Sequence, residues 1–254
     1  MGRPDVKTDA RRVFDTLKAG GIAIIPADVG YAILASDAHA LERVFQAKRR
    51  AANKRHAMIG NYAVHRDIHL MDVRSQEIID HLILDLRLPL GIIGKYKPDH
   101  PTIKGLDEAT LEASTNTENQ SISIFTNGGA FQDELMTLAH EANMPVIGSS
   151  ANLTGTGTKY RVSDINKEIL DIVDVVIDYG LMKYNPHARS STLIDFSGPT
   201  PEVTRIGACY EQIKGVLKKN WEIDLPEDPG MGANRFGHLK NLGDVESLKK
   251  LVTA

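Results

Sequence analysis

The 254-residue chain (27.9 kDa) is 42% hydrophobic and 25% charged, ordinary for a globular protein with room for one large domain or a domain plus an appendage. A net charge of -3 and a pI of about 6.3 exclude a generally basic, nucleic-acid-coating surface, so any polyanion site must be local. The single cysteine, Cys209, excludes an internal disulfide, no apolar run approaches the ~18–20 residues of a membrane span, and the N-terminus lacks a signal-peptide core; a reducing, cytoplasmic location is expected.

In chain order, Asp9 is placed to cap a helix with the apolar face Val13, Phe14 and Leu17, which Gly20-Gly21 ends. Ile22 to Ile25 reads as a short buried strand. Leu41, Val44 and Phe45 mark a second helix that delivers Lys48 to Arg50 at its end, and Ala57 to Gly60 is the next strand. Ile78, Ile79, Leu82, Ile83 and Leu86 form a helical stripe that stops before Pro89. Strands follow at Leu90 to Ile93 and Ser121 to Phe125, a helix at Phe131 to Asn143, and a strand at Pro145 to Gly148 feeding a Ser/Asn loop. Beyond Asn166 come a helix, strands at Val173 to Ile177, Thr192 to Phe196 and Val203 to Ile206, and a closing helix from Tyr210 to Lys219. Alternating strands and helices, with hairpin-like pairing near the end, predict a mixed-sheet α/β domain over residues 1–220. From Leu225 to Asn241 the composition turns to Pro, Gly and Asn, so residues 221–254 read as a linker or lid.

Four distant segments carry the chemistry: Lys48-Arg49-Arg50 with Lys54, then Ser149-Ser150-Ala151-Asn152, then Ser191-Thr192, then Arg205-Ile206-Gly207-Ala208. A cluster of Lys48, Arg50, Lys54 and Arg55 suits phosphate oxygens, which arginine grips in bidentate fashion, although a basic turn by itself also reads as a solvated surface. Ser150 and Asn152 follow a buried strand, where a loop presents hydroxyl and amide groups to a ligand or simply turns the chain. The Gly155-Thr156-Gly157-Thr158-Lys159 run lacks the spacing of a P-loop, and Tyr160 stands where Ser or Thr would be needed. His65 and His69 are four apart with no third ligand evident, so no metal site is expected. Cys209 reads as a small buried side chain.

The order and spacing of the four segments resemble the YrdC/TsaC family, whose members make threonylcarbamoyl-AMP from ATP, bicarbonate and threonine for tRNA modification. The resemblance runs from about Gly20 to Ala208. It implies a YrdC-like twisted mixed sheet with flanking helices around a concave cleft. It also implies ATP with its Mg2+, and bicarbonate as co-substrate. By the same resemblance Lys48, Arg50, Ser150 and Asn152 serve catalysis, and Arg50, Lys54, Ser121, Asn152 and Arg205 hold the nucleotide. Ala27, Asp28, Tyr31, Ile59, Phe125, Ser150 and Ser191 would line the acceptor pocket. Pro229-Gly230-Met231 and His238 resemble the linker that covers the active site in longer members.

The match is uneven. The family's Pro-Thr-Asp-Thr-Val-Tyr-Gly-Leu stands here as Pro26-Ala27-Asp28-Val29-Gly30-Tyr31-Ala32-Ile33, without either threonine. Gly30-Tyr31-Ala32 is closer to YciO, a relative without an established synthase role. Ile59 stands where the synthases carry His or a comparable residue, and Ile124-Phe125 where they carry Val-Arg. An intact nucleotide half beside an altered acceptor half predicts an enzyme that forms a carbamoyl adenylate with a changed acceptor, an amino acid or an amine. The alternative is a non-catalytic, YciO-like module that binds RNA through the basic turn; no aromatics interleave Lys48 to Arg55 to support it.

Overall fold

The computed structural model of the protein describes residues 4–49 and 56–239. Helix α1 (Val6–Lys18) buries Val13, Phe14 and Leu17 as expected, but its cap is Asp5, whose carboxylate accepts from the Thr8 amide at 3.2 Å. Asp9 lies inside the first turn and accepts the Tyr179 hydroxyl at 2.8 Å. Strand β1 (Ala23–Ile25) turns through Pro26–Tyr31 into an antiparallel β2 (Ala32–Ala35). Four residues with one β-branched side chain give no local strand signal; pairing with neighbours on both sides makes β2 a strand. Asp37 caps α2 (Ala38–Lys48), which ends as Arg49 turns left-handed at φ 50°.

After β3 (Ala57–Ile59) come α3 (Tyr62–Ile68), β4 (His69–Leu70) and α4 (Val73–Asp80). The predicted stripe continues from α4 into a π-helical turn at His81–Asp85. Ile78, Ile79, Leu82 and Ile83 are buried, whereas the wider turn swings Leu86 out to 38% exposure. Then follow β5 (Leu90–Tyr96), α5 (Pro101–Lys104), α6 (Glu108–Ser114), β6 (Thr115–Asn116), β7 (Ser121–Thr126) and α7 (Ala130–Glu141). Strand β8 spans Ile147–Ser150, so Ser149 and Ser150 belong to the strand rather than to a loop after it. Next are α8 (Lys167–Leu170) and β9 (Val175–Val176), only two residues of the predicted Val173 to Ile177. The β10 (Thr192–Asp195) and β11 (Glu202–Arg205) hairpin, α9 (Tyr210–Trp221) and a single turn, α10 (Gly230–Ala233), complete the described chain.

The described strands form one mixed sheet in the order β11-β10-β5-β7-β3-β8-β2-β1-β9, with β4 added to β5 and β6 to β7. Its two faces differ. Met58, Ile92, Ile124 and Ile194 share one face and are at most 1% exposed. One apolar cluster joins that face to α1, α3 and α7. A second joins β5, β10 and β11 to α4 and α9 through Ile78, Leu82, Ile213 and Leu217. Of the side chains that alternate with these, Ile93, Ser123, Leu193 and Arg205 are partly exposed, whereas Ile59 and Phe125 are buried.

Candidate functional site

Strand register decides which predicted residues meet. Arg205 pairs with Leu193, Leu193 with Gly91, Gly91 with Phe125, and Phe125 with Ile59, so one row crosses five strands, partly exposed at Arg205 and Leu193 and buried at Phe125 and Ile59. Ser121 shares that face with Phe125 at the opposite end of β7, and Ser150 reaches it from β8 through the Ile59 and Gly148 side. A Cβ on Gly91 would stand 2.5 Å from Leu193, so glycine keeps the middle of this face low.

Arg205 is fixed by Ser191: Nε donates to the Ser191 carbonyl and Nη2 to Ser191 Oγ, both at 3.0 Å. Gly207 permits the close approach, since any Cβ there would lie 2.2 Å from the Ser190 carbonyl oxygen. Ser121 Oγ donates to Asn119 at 2.7 Å. Lys48 is not a surface cation. It is 1% exposed, and Nζ donates to the Ser150 carbonyl and to the Asn152 carbonyl, the latter at 2.6 Å, tying α2 to the end of β8. Asn152 is buried, its Nδ2 donates to Leu153 O at 2.5 Å, and its Oδ1 has no hydrogen-bond partner among the described residues. A buried acceptor left so is costly and suits a ligand donor. Ser149, by register, points into the core with Ile33 and Ile147.

Three expected positions fall elsewhere. The Tyr31 ring shares the core face with Ile33, and its hydroxyl donates toward Asp178 and Gly180 at 2.9 Å; burial, then the Asp178 carboxylate, pushes the phenol up. It therefore cannot line the open face: an alternation of one residue sends it to the helical side. Asp28 faces the start of α7 and Lys183, whose Nζ is 3.6 Å away, beside a cleft of about 390 Å³ also walled by Ala27, Phe131 and Leu181. Arg50, Lys54 and Arg55 lie outside the described residues.

The C-terminal segment comes back to this site. Ile206 N donates to Gly237 O at 2.8 Å and Leu239 N to Thr204 O at 3.0 Å, pairing His238 with Arg205. Met231 is 41% exposed and Phe236 reaches the Gly157 turn. Arg189, which the sequence did not single out, is buried and holds this segment through Asp228 at 2.6 Å and Asn234 O at 2.8 Å. Burial alone would raise the Asp228 carboxyl; the Arg189 guanidinium and the Gly230 amide outweigh it and hold that carboxyl low. A lone arginine in a loop carries no sequence signal of this kind. Cys209 is buried as expected, and burial pushes its thiol up.

His65 and His69 bond to each other, Nδ1 to Nδ1, at 2.8 Å. Asp67 accepts from His100 at 2.8 Å and His140 at 3.0 Å. Because His100 Nδ1 already accepts the Thr102 amide, its Nε2 carries the proton and is no metal ligand. Among the described residues no group of three or more His, Cys, Asp or Glu is arranged to hold a metal ion, and no helix is long and apolar enough to cross a membrane.

The profile of the Sua5/YciO/YrdC family, described as telomere recombination, matches residues 15–207. The chain belongs to this family. A relative from Methanocaldococcus jannaschii, described as "Putative threonylcarbamoyl-AMP synthase", is 29% identical over 199 residues, 73% of this chain and 81% of the relative. Among solved structures, a hypothetical protein from Streptococcus mutans aligns with TM-score 0.71 at 22% identity, covering 85% of this chain and 93% of that one. Sua5 of P. abyssi, complexed with L-threonine, aligns with TM-score 0.66 at 17% identity, covering 89% of this chain and 61% of Sua5. YciO of E. coli aligns at 0.61 and 18%, covering 81% and 91%. These likenesses establish the YrdC-like fold, and this chain spans about three-fifths of the Sua5 length.

Proposed function

We propose that this protein is a threonylcarbamoyl-AMP synthase-like nucleotidyltransferase: ATP, bicarbonate and an amino acid or amine give an N-carbamoyl adenylate and pyrophosphate. The observation that carries the reading is Arg205, set by Ser191 on the sheet face that Ser121 and Ser150 also share, in a chain of the Sua5/YciO/YrdC family. In the reaction an amine nitrogen attacks bicarbonate carbon and water leaves. A carbamate oxygen then attacks the α-phosphorus, and the bond to pyrophosphate breaks. Charge grows on the phosphoryl oxygens and the leaving group, so the protein's task is positioning and electrostatic stabilisation. Arg205, pre-set by Ser191, supplies a guanidinium for the phosphates. Arg50 and Lys54, by family order, supply further cations, and Asn152 Oδ1, without a partner among the described residues, offers an acceptor to the base.

The acceptor half differs from the family pattern. Ile59 and Phe125 put apolar side chains side by side on neighbouring strands where the family carries polar and charged ones. Apolar walls leave a desolvated carboxylate unpaired, which favours a less polar or uncharged acceptor over threonine. The segment bearing Met231 and His238 serves as a cover that keeps water from a labile mixed anhydride.

The test is pyrophosphate release. It should require ATP, bicarbonate and an acceptor together, with mass spectrometry identifying the adenylate made from a mixture of amino acids and amines. Arg205→Ala should weaken ATP binding ~10–100-fold, the effect of losing a charge-assisted contact of ~1.5–3 kcal/mol. Unchanged ATP affinity in that variant would reject the nucleotide assignment. Salt-dependent RNA binding without turnover would favour the YciO-like module instead.

A further inference from the structure

Lys48 and Arg189 are the two buried Lys or Arg side chains among the described residues. The proposed chemistry does not touch Arg189, yet its contacts bracket Arg205 from two directions. Two residues after Arg189, Ser191 accepts both bonds from the Arg205 guanidinium. The guanidinium of Arg189 itself holds Asp228 and the Asn234 carbonyl, and Asn234 Nδ2 in turn donates to the His238 carbonyl at 2.9 Å. That segment then adds Gly237–Leu239 alongside Thr204–Ile206, completing an edge at the residue that carries the guanidinium. The Arg189 carbonyl accepts the Tyr160 hydroxyl at 3.0 Å, tying the same hub to the chain that follows Asn152.

We propose that Arg189 is a positioning residue for Arg205: it clips residues 228–239 to the β11 edge and so fixes where the Arg205 side chain meets ATP. The inference rests on the nucleotide reading above. A buried ion pair contributes little net stability, because desolvation offsets its attraction; what it supplies is direction. Arginine suits this role because its planar fork meets a carboxylate and a carbonyl at fixed angles, which a lysine point charge does not.

The experiment combines hydrogen exchange with nucleotide binding on the full chain. Arg189→Gln should speed exchange of the Ile206 and Leu239 amides at least ~10-fold and raise the ATP KM ~10-fold, with kcat changed less than ~3-fold. Arg189→Lys should be intermediate, and the exchanged pair Arg189→Asp with Asp228→Arg should recover part of both effects. Should the Arg189 variants not fold, Gly237→Ala carries the test. A Cβ there would meet Ile206 O at 1.8 Å with φ at +75°, expelling the added strand without touching Arg189. Retained protection at Ile206 and Leu239 in the Arg189 variants would overturn the clip. Lost protection with unchanged ATP affinity would overturn the positioning role and leave Arg189 a strut. Lost protection in a protein that binds no ATP would reject the functional reading, and the positioning role with it.

Discussion

Replacing Lys48 by methionine removes an ammonium that is 1% exposed and bonded to two main-chain carbonyls. We expect a loss of about 3 kcal/mol in urea unfolding, the scale for breaking a buried charged contact. A change under ~1 kcal/mol would show that the clamp is not structural. The buried histidine pair gives a second expectation. His69 Nε2 lies 3.2 Å from the Ile122 carbonyl and must donate to it, so His69 Nδ1 accepts and His65 Nδ1 donates. Burial holds both rings neutral, with His65 lowered to about 4 and His69 to about 3. Both folded values lie below the unfolded value. The pair's contribution is therefore complete above about pH 6.5 and is lost as pH falls toward 4, by about 3 kcal/mol for each ring. Thermal midpoints across pH 4–8 should fall in that window, and His69→Gln should flatten the slope. Equal slopes in both proteins would exclude the pair as its source. The i,i+4 spacing put these rings within reach of each other, but the tautomers depend on Ile122, 53 residues away along the chain.

At the scale of elements, β7 shows how a sequence motif becomes a wall. Its alternation assigns Ser121, Ser123 and Phe125 to one side and Ile122 and Ile124 to the other. Only the register with β5 and β3 says which side is open. Phe125→Arg should restore a cation to the acceptor side and raise kcat/KM for threonine ~10-fold in competition at saturating ATP and bicarbonate, the worth of one charge-assisted contact. Efficient threonine turnover in the parent protein, with no gain in the variant, would return the chain to the ordinary synthase class. Helix α2 was legible from its apolar spacing, and the β10–β11 hairpin from its paired runs. Strand β2 and the α4-to-π transition were not, because short pairing and a changed hydrogen-bond register leave no local periodicity.

Across the whole molecule, packing under α9 continues a few residues past 220, the expected start of the C-terminal extension. Ile223 and Leu225 join the cluster under α9, and the Tyr210 hydroxyl bonds Pro226 O. The informative truncation is thus after Glu227, which removes Asp228 and the strand pairing but spares that cluster. It should raise unproductive ATP hydrolysis or abolish adenylate accumulation, followed by phosphate release and by mass spectrometry. Unchanged kinetics would leave residues 228–239 without a covering role.

Composition, apolar spacing and four motif segments by themselves determined the mixed α/β class, most long helices and strands, and the family, because each of these is written in local pattern or in order along the chain. Only the tertiary structure decided that Lys48 is buried as a clamp, that Tyr31 turns into the core, and that Arg189, Asp228 and Gly237 converge behind Arg205. Those facts follow from strand register and from contacts between residues far apart in sequence, where a shift of one residue reverses the face a side chain occupies.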